Sequence, residues 1–257
     1  MIMKQFFCTT LLLLFALLGF AQVRIHSHND YSQGKPFHTA YLNKVEEMEA
    51  DIFLVGDSII VAHGKKDIEP SNTLYNLYLK PINEKFKQYR GQVSEDKDYT
   101  FSLMIDVKEN WATVYPTLKK EIEKYGRIFE RNKYKNAIRI VISGNRPTDS
   151  TFRTYPKWLF FDGLPQLKYA KEDLKRVALI SDNFASYSKW NGYGEIPLAD
   201  KEKLQKLIND AHRINKPIRF WAAPDTIDSW EQLYKLGVDM INTDKISECS
   251  TYFEKHK

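Results

Sequence analysis

Glu49-Ala50-Asp51-Ile52-Phe53-Leu54-Val55-Gly56-Asp57-Ser58-Ile59-Ile60-Val61-Ala62-His63 joins an acidic pair to an apolar run, a short gap and a second apolar run that ends on a histidine. Residues 48–55 read as a strand, and Gly56-Asp57 has the chemistry of a tight hairpin that returns 59–63 beside it. Strand side chains alternate faces, so Glu49 and Asp51 share one side. The apolar residues that continue directly from the pair argue against the other reading, a charged turn at a helix end.

Outward from this hairpin, short β-branched or apolar runs alternate with longer amphipathic segments, the pattern of repeated strand-helix units. Eight strands are expected, near 23–28, 48–55, 100–107, 137–143, 158–162, 176–181, 218–222 and 239–243. The clearest helix is 111–129, where Trp111, Val114, Tyr115, Leu118, Ile122, Tyr125 and Phe129 follow a 3.6-residue period. Further helices are expected at 36–48, 72–89, 200–215 and 226–236. Pro81 is expected to break or kink the second of these, and Thr226 and Asp228 to cap the start of the last. Eight such units fit a single (β/α)8 TIM-type barrel, usually about 250 residues, with the hairpin inserted after strand two. A doubly wound open sheet is the alternative. No internal repeat, low-complexity tract or linker divides the chain, so 22–257 is read as one domain.

The chain has 257 residues, 43% hydrophobic and 28% charged, which excludes a disordered or fibrous protein. Its net charge of +5 is spread along the sequence, which does not describe a nucleic-acid binder. Residues 1–21 read as a cleaved export signal: Lys4 gives a positive start, Leu11 to Phe20 an apolar run too short for a comfortable membrane span, and Gly19-Phe20-Ala21 a small-residue cleavage site. The expected location is therefore secreted or periplasmic, with no stable membrane span after cleavage. Cleavage would remove Cys8 and leave Cys249 as a lone thiol, structural or idle, and no cysteine stands at a lipid-attachment position.

Catalytic groups of a barrel gather at the C-terminal ends of its strands. There the chain offers His26-Ser27-His28-Asn29-Asp30, Glu49-Ala50-Asp51, His63-Gly64 and Asp106-Val107-Lys108. Three carboxylates aimed into one mouth repel one another unless a cation joins them, and oxygen-only donors favour Mg²⁺ or Ca²⁺ over zinc. Imidazoles titrate near neutrality and suit proton transfer, and Lys108 would offer fixed positive charge to an anion.

In this order the motifs resemble the superfamily of phosphatidylinositol phospholipase C-like phosphodiesterases, which includes glycerophosphodiester phosphodiesterases and sphingomyelinase D. A first-strand histidine, an E-x-D pair, a His-Gly after a hairpin and an acid-x-Lys on strand three correspond to His26, Glu49 with Asp51, His63 and Asp106 with Lys108. The stretches 220–222 and 237–244 are similar to the family's last two strands. The resemblance implies that His26 and His63 are the acid-base pair, that Glu49, Asp51 and Asp106 hold one divalent cation, and that Lys108 and Trp221 touch a small-molecule or lipid phosphodiester. His26 is preferred to His28, which shares its face, on strand position and family order. Where glycerophosphodiester enzymes carry His-Arg-Gly, this chain has His26-Ser27-His28. His28 and Asn29 are then the candidates for substrate contacts.

Two other classes stay open. His26 and His28 could bind a transition metal in a His-x-His barrel hydrolase of the amidohydrolase or phosphoesterase type, or the barrel could be a non-catalytic secreted binding protein. Lys108 could simply be a salt-bridge partner of Asp106, and Trp221 a core residue. His38 and His212 read as solvated helix positions, and Tyr75, Leu77 and Leu79 as packing.

Overall fold

The computed structural model describes residues 23–256, so the signal read at 1–21 and Cys8 lie outside the described residues. The opening stretch folds as read: β2 (Glu47–Val55) and β3 (Ser58–Val61) pair antiparallel, with Val55 opposite Ser58 across the turn. Gly56 sits at φ 59, a left-handed value that glycine takes without penalty. Seven more strands are β1 (Arg24–Ser27), β4 (Ser102–Val107), β5 (Arg139–Gly144), β6 (Leu159–Gly163), β7 (Val177–Asn183), β8 (Ile218–Trp221) and β9 (Met240–Thr243). All but β3 run parallel in the order β1-β2-β4-β5-β6-β7-β8-β9, and β9 returns to β1. The β1–β2 pairing closes the ring, which makes this the eight-stranded barrel rather than an open sheet, with β3 as an extra strand on β2.

The helices are α1 (His38–Leu42), α2 (Lys80–Gln88), α3 (Trp111–Glu123), α4 (Lys171–Leu174), α5 (Leu198–Arg213), α6 (Ile227–Leu236) and α7 (Ile246–Lys255). Asn110 caps α3 by accepting from the amides of Ala112 and Thr113, and Thr226 caps α6 by accepting from that of Ser229. Several expected bounds are corrected. The helix expected at 36–48 is only α1, because β2 already begins at Glu47. The helix expected to reach Phe129 stops at Glu123, and the chain turns through Gly126 at φ 47. Pro81 does not end its helix but coincides with an irregularity in it: a π-helical turn at Tyr75–Leu79, whose Tyr75 carbonyl accepts from the Lys80 amide, runs directly into α2 with Pro81 in its first turn. The sequence reading missed α7, which carries the buried Cys249.

Two apolar layers hold the barrel. The larger lies between strands and helices and includes Met48, Ala50 and Ile52 of β2 with Trp111, Val114, Leu118 and Ile122 of α3. Between β5 and β6 a 3-10 segment, Asp149–Thr154, stands in for a helix, and Phe152 stacks on Phe161 at 3.9 Å to seal that side. The smaller layer plugs the barrel interior with Met104, Val141, Leu179 and Met240, backed by Phe160. Each is two residues before a polar residue on the same strand face: Asp106, Ser143, Ser181, Asn242 and Asp162. The barrel is thus apolar at one level and polar at the next, and the polar level opens at the C-terminal rim.

Candidate active site

The alternation that puts Met48, Ala50 and Ile52 against the helices turns Glu47, Glu49 and Asp51 inward, and all three acids are buried. β4 lies beside β2 with Asp106 opposite Asp51. The result is a trio, Glu49, Asp51 and Asp106, whose ligand oxygens all lie within 4.8 Å of one another. Lys108 Nζ bridges Asp51 Oδ2 and Asp106 Oδ1, 3.0 Å from each. Burial pushes the Asp51 carboxyl up to about 6; Lys108 opposes this, while Glu49 and Asp106 add to it. Burial alone would also raise Glu49, but the hydrogen bond and charge of His26, with Arg219 and His28, hold it well below the ordinary range.

Whether these residues suit a cation is answered by the donor set. Asp51 Oδ1 is buried without a hydrogen-bond partner among the described residues, beside two more carboxylates, an arrangement that costs free energy unless a cation completes it. The donors are all oxygen, and no imidazole belongs to the trio, so the set fits a hard divalent ion. Gly144 lets β5 pass close to the trio: it sits at φ 67, and a Cβ there would collide with Asp106 Oδ1 and the carbonyl of Val107.

The two histidines of β1 part company. His26 is fully buried, with Nδ1 2.9 Å from Glu47 Oε1 and Nε2 3.2 Å from Glu49 Oε2, and the Arg219 guanidinium touches the same Nε2. It lies below the cavity and does not line it. The sequence prefers His26 as the first-strand proton carrier, whereas the side chain that the structure brings to the mouth is His28, one layer higher. His28 lines the cavity, Nδ1 2.8 Å from Asp244 Oδ1 and Nε2 3.9 Å from Glu49 Oε2. Burial lowers its proton affinity, but the hydrogen bond and charge of Asp244, together with Glu49, outweigh that and leave it raised.

His63, just past β3, stands at the other side of the trio with Nδ1 3.7 Å from Asp51 Oδ2. Tyr31 organises this corner: its hydroxyl donates to Asp51 Oδ2 at 2.9 Å, with Asn29 Oδ1 at 2.8 Å and His63 Nδ1 at 3.3 Å. Burial, then the Asp51 carboxylate, pushes the Tyr31 phenol well above its usual range and keeps it a donor. Asn29 itself takes a left-handed turn, φ 45, which asparagine tolerates better than most residues.

These groups line a cavity of about 370 Å³ at the ends of the strands. Every site residue expected from the sequence except His26 lines it: His28, Asn29, Glu49, Asp51, His63, Asp106, Lys108 and the half-exposed Trp221. The sequence reading missed Tyr31, Asp244 and the far wall. On that wall Ser181 donates to Asp162 Oδ2, Ser143 donates to the same oxygen at 3.4 Å, and Arg219 Nη2 lies 3.6 Å from it. Arg219 is two residues before Trp221, so the spacing rule that paired His26 with His28 already pointed at it. A larger groove of about 610 Å³, between the hairpin and α3, is lined by none of these residues.

Residues 17–162 match the AIM6-like phosphodiesterase domain. An altered inheritance of mitochondria protein 6 homolog from Arthroderma benhamiae is 24% identical over 273 residues, covering 91% of this chain and 85% of that protein. Altered inheritance of mitochondria protein 6 from Kluyveromyces lactis is 25% identical over 306 residues, covering 89% and 71%. Among solved structures, a glycerophosphodiester phosphodiesterase from Parabacteroides distasonis aligns with a TM-score of 0.56 at 12% identity, over 91% of this chain and 98% of that one. A putative glycerophosphoryl diester phosphodiesterase from Silicibacter pomeroyi gives 0.55 at 9%, over 91% and 94%. The structural likenesses carry the barrel fold, and the domain match spans more than half of the sequence: the chain belongs to the AIM6-like phosphodiesterase domain family.

Proposed function

We propose that the protein is a metal-dependent phosphoric diester hydrolase that acts on a small-molecule or lipid phosphodiester. The observation that carries this reading is the convergence of Glu49, Asp51 and Asp106 within 4.8 Å at a cavity that His28, His63 and Lys108 also line. Glu49, Asp51 and Asp106 would hold one Mg²⁺ or Ca²⁺, and Asn29 lines the same cavity. When bound, such an ion supplies positive charge against the phosphoryl oxygens. Lys108 adds a second charge on the same side, and its ion pairs with Asp51 and Asp106 fix where that charge stands.

Proton movement falls to the two imidazoles that line the cavity, His28 and His63. A water or a substrate hydroxyl attacks phosphorus and loses its proton to one of them. The bond from phosphorus to the leaving oxygen breaks, and that oxygen takes the other imidazole's proton. Asp244 orients His28, while the Tyr31 hydroxyl and Asp51 border His63. His26 is a positioning residue that holds Glu49 from below. The His-x-His alternative loses ground here, because both His26 nitrogens face carboxylates beneath the cavity floor.

A panel of phosphodiesters assayed with and without chelator tests the reading. Hydrolysis should vanish with chelator, return with Mg²⁺ or Ca²⁺, and fall sharply in Asp106→Asn and His63→Ala. Turnover that survives chelation, or zinc or manganese bound through imidazoles, would overturn it. Export belongs to the same proposal, so the protein recovered from periplasm or medium should begin at Gln22; an intact amino terminus on the active protein would refute cleavage.

A further inference from the structure

The phosphoryl-handling groups of the cavity come from β1 to β4. The opposite wall comes from β5 to β8 and contributes Ser143, Arg146, Asp162, Ser181 and Arg219, with Leu164 and Trp221 as its apolar members. A diester whose phosphorus sits between His28 and His63 must lay one of its two alcohol portions across that wall. The wall is too polar to suit an acyl chain, and its one aromatic residue makes no cage for a quaternary ammonium.

The charges of the wall are more specific. Each other cationic or imidazole side chain lining the cavity has a carboxylate within 4.0 Å: Lys108 has Asp51 and Asp106, Arg219 has Asp162, His28 has Asp244 and Glu49, and His63 has Asp51. Arg146 has none among the described residues. Its one hydrogen bond to the protein, Nη1 to the carbonyl of Gly144, is long at 3.5 Å. The residue is nonetheless partly buried on the wall, close enough for its charge to act on Asp162. A partly dehydrated guanidinium with its donors unused is matched by an oxyanion, which it can grip through two parallel hydrogen bonds.

We propose that Arg146 is a specificity-determining residue that binds a second anionic group, a phosphate monoester, on the alcohol portion of the diester. The inference rests on the phosphodiesterase reading and adds the substrate class: diesters of a hydroxylated alcohol that carries a further phosphate. Asp162, Ser143 and Ser181 present the acceptor and hydroxyls that such an alcohol's own hydroxyls would meet.

A charge series tests this: glycerophosphoglycerol, the same diester bearing a terminal phosphate monoester, and glycerophosphocholine, each with the wild-type protein, Arg146→Ala and Arg146→Glu in buffer containing Mg²⁺. The expected result is a kcat/KM at least tenfold higher for the phosphorylated diester than for its parent in the wild type. That ratio should fall to near one in Arg146→Ala, and Arg146→Glu should favour glycerophosphocholine over the phosphorylated diester. No preference in the wild type, or an equal loss on all three substrates in Arg146→Ala, would overturn the proposal. If the wild type hydrolyses none of them, the parent reading stands or falls on the wider panel of diesters, and equilibrium binding of the same compounds decides this one. A tenfold ratio of dissociation constants that Arg146→Ala abolishes upholds the anion site, and equal constants refute it.

Discussion

Replacing His28 and His26 separately by alanine should produce opposite phenotypes, although the two residues lie two apart on one strand face. His28 and Asp244 are at least partly exposed, and the buried Glu49, 3.9 Å from His28, keeps its closer partner His26, so His28→Ala leaves no buried group stranded. It removes a proton carrier, and positioned acid-base groups contribute about 10²–10⁴-fold, so kcat should fall by about that factor with the melting temperature nearly unchanged. His26→Ala instead deprives the buried Glu47 and Glu49 of a shared partner. Stranding buried carboxylate acceptors costs about 1–3 kcal/mol each and more when they are charged, so about 3–5 kcal/mol for the two together. Arg219, already in contact with the same nitrogen, takes up part of the loss and favours the lower end. At about 2–4 °C per kcal/mol for a domain of this size, melting should drop by roughly 10 °C. Melting followed by circular dichroism, beside kcat and KM on the best diester, reads both variants. If His28→Ala stays within about threefold of wild-type kcat, or His26→Ala melts normally yet is inactive, the assignment of the two roles is wrong.

In the metal-free protein the raised Asp51 carboxyl, at about 6, adds stability that is lost as pH rises through that value. The raised His28 acts in the same sense, while Glu49 is ionised in both states above pH 5 and adds no slope. Chelated protein should therefore be more stable at pH 5 than at pH 8, by about 1.4 kcal/mol from Asp51, and saturating cation should reverse the order; a flat profile in chelator would refute the buried, uncompensated carboxyl. Gly144→Ala drives a Cβ into Asp106 Oδ1 and should weaken cation binding by about tenfold or more in a calorimetric titration, a loss of about 1.4 kcal/mol. Unchanged affinity would show that Asp106 is not held there. Lys108→Met removes the charge shared by Asp51 and Asp106, so kcat should fall while cation affinity rises or holds; a loss of affinity instead would make Lys108 a support of the trio rather than a substrate contact.

Periodicity and turn chemistry are local, and what they govern could be read from the sequence. The Gly56-Asp57 hairpin, the eight strand runs, the Thr226 cap and the inward face of Glu49 and Asp51 each follow from residues a few positions apart. The 3-10 segment at Asp149–Thr154 was hidden because aromatic stacking onto Phe161, rather than an amphipathic stripe, covers the barrel there. In α7 the spacing of Ile246, Cys249 and Phe253 does carry a helical signal.

Depth inside the barrel is a different kind of quantity. Alternation states which face His26 and His28 share, yet a strand advances about 3.3 Å per residue, so the two stand a full side-chain layer apart. Which layer is floor and which is mouth depends on how β1 registers with both neighbours, His26 lying opposite Glu47 on one side and Asn242 on the other. Closing the ring fixes that stagger, and Asn242 is more than 200 residues from His26 in the chain. The same closure carries Arg219 across to His26 and Asp244 to His28, contacts that no window of sequence contains. A motif can thus name the strand that brings a histidine to the cavity and still leave open which of two does so, and the choice follows from which ring lies level with the carboxylates that open on the cavity.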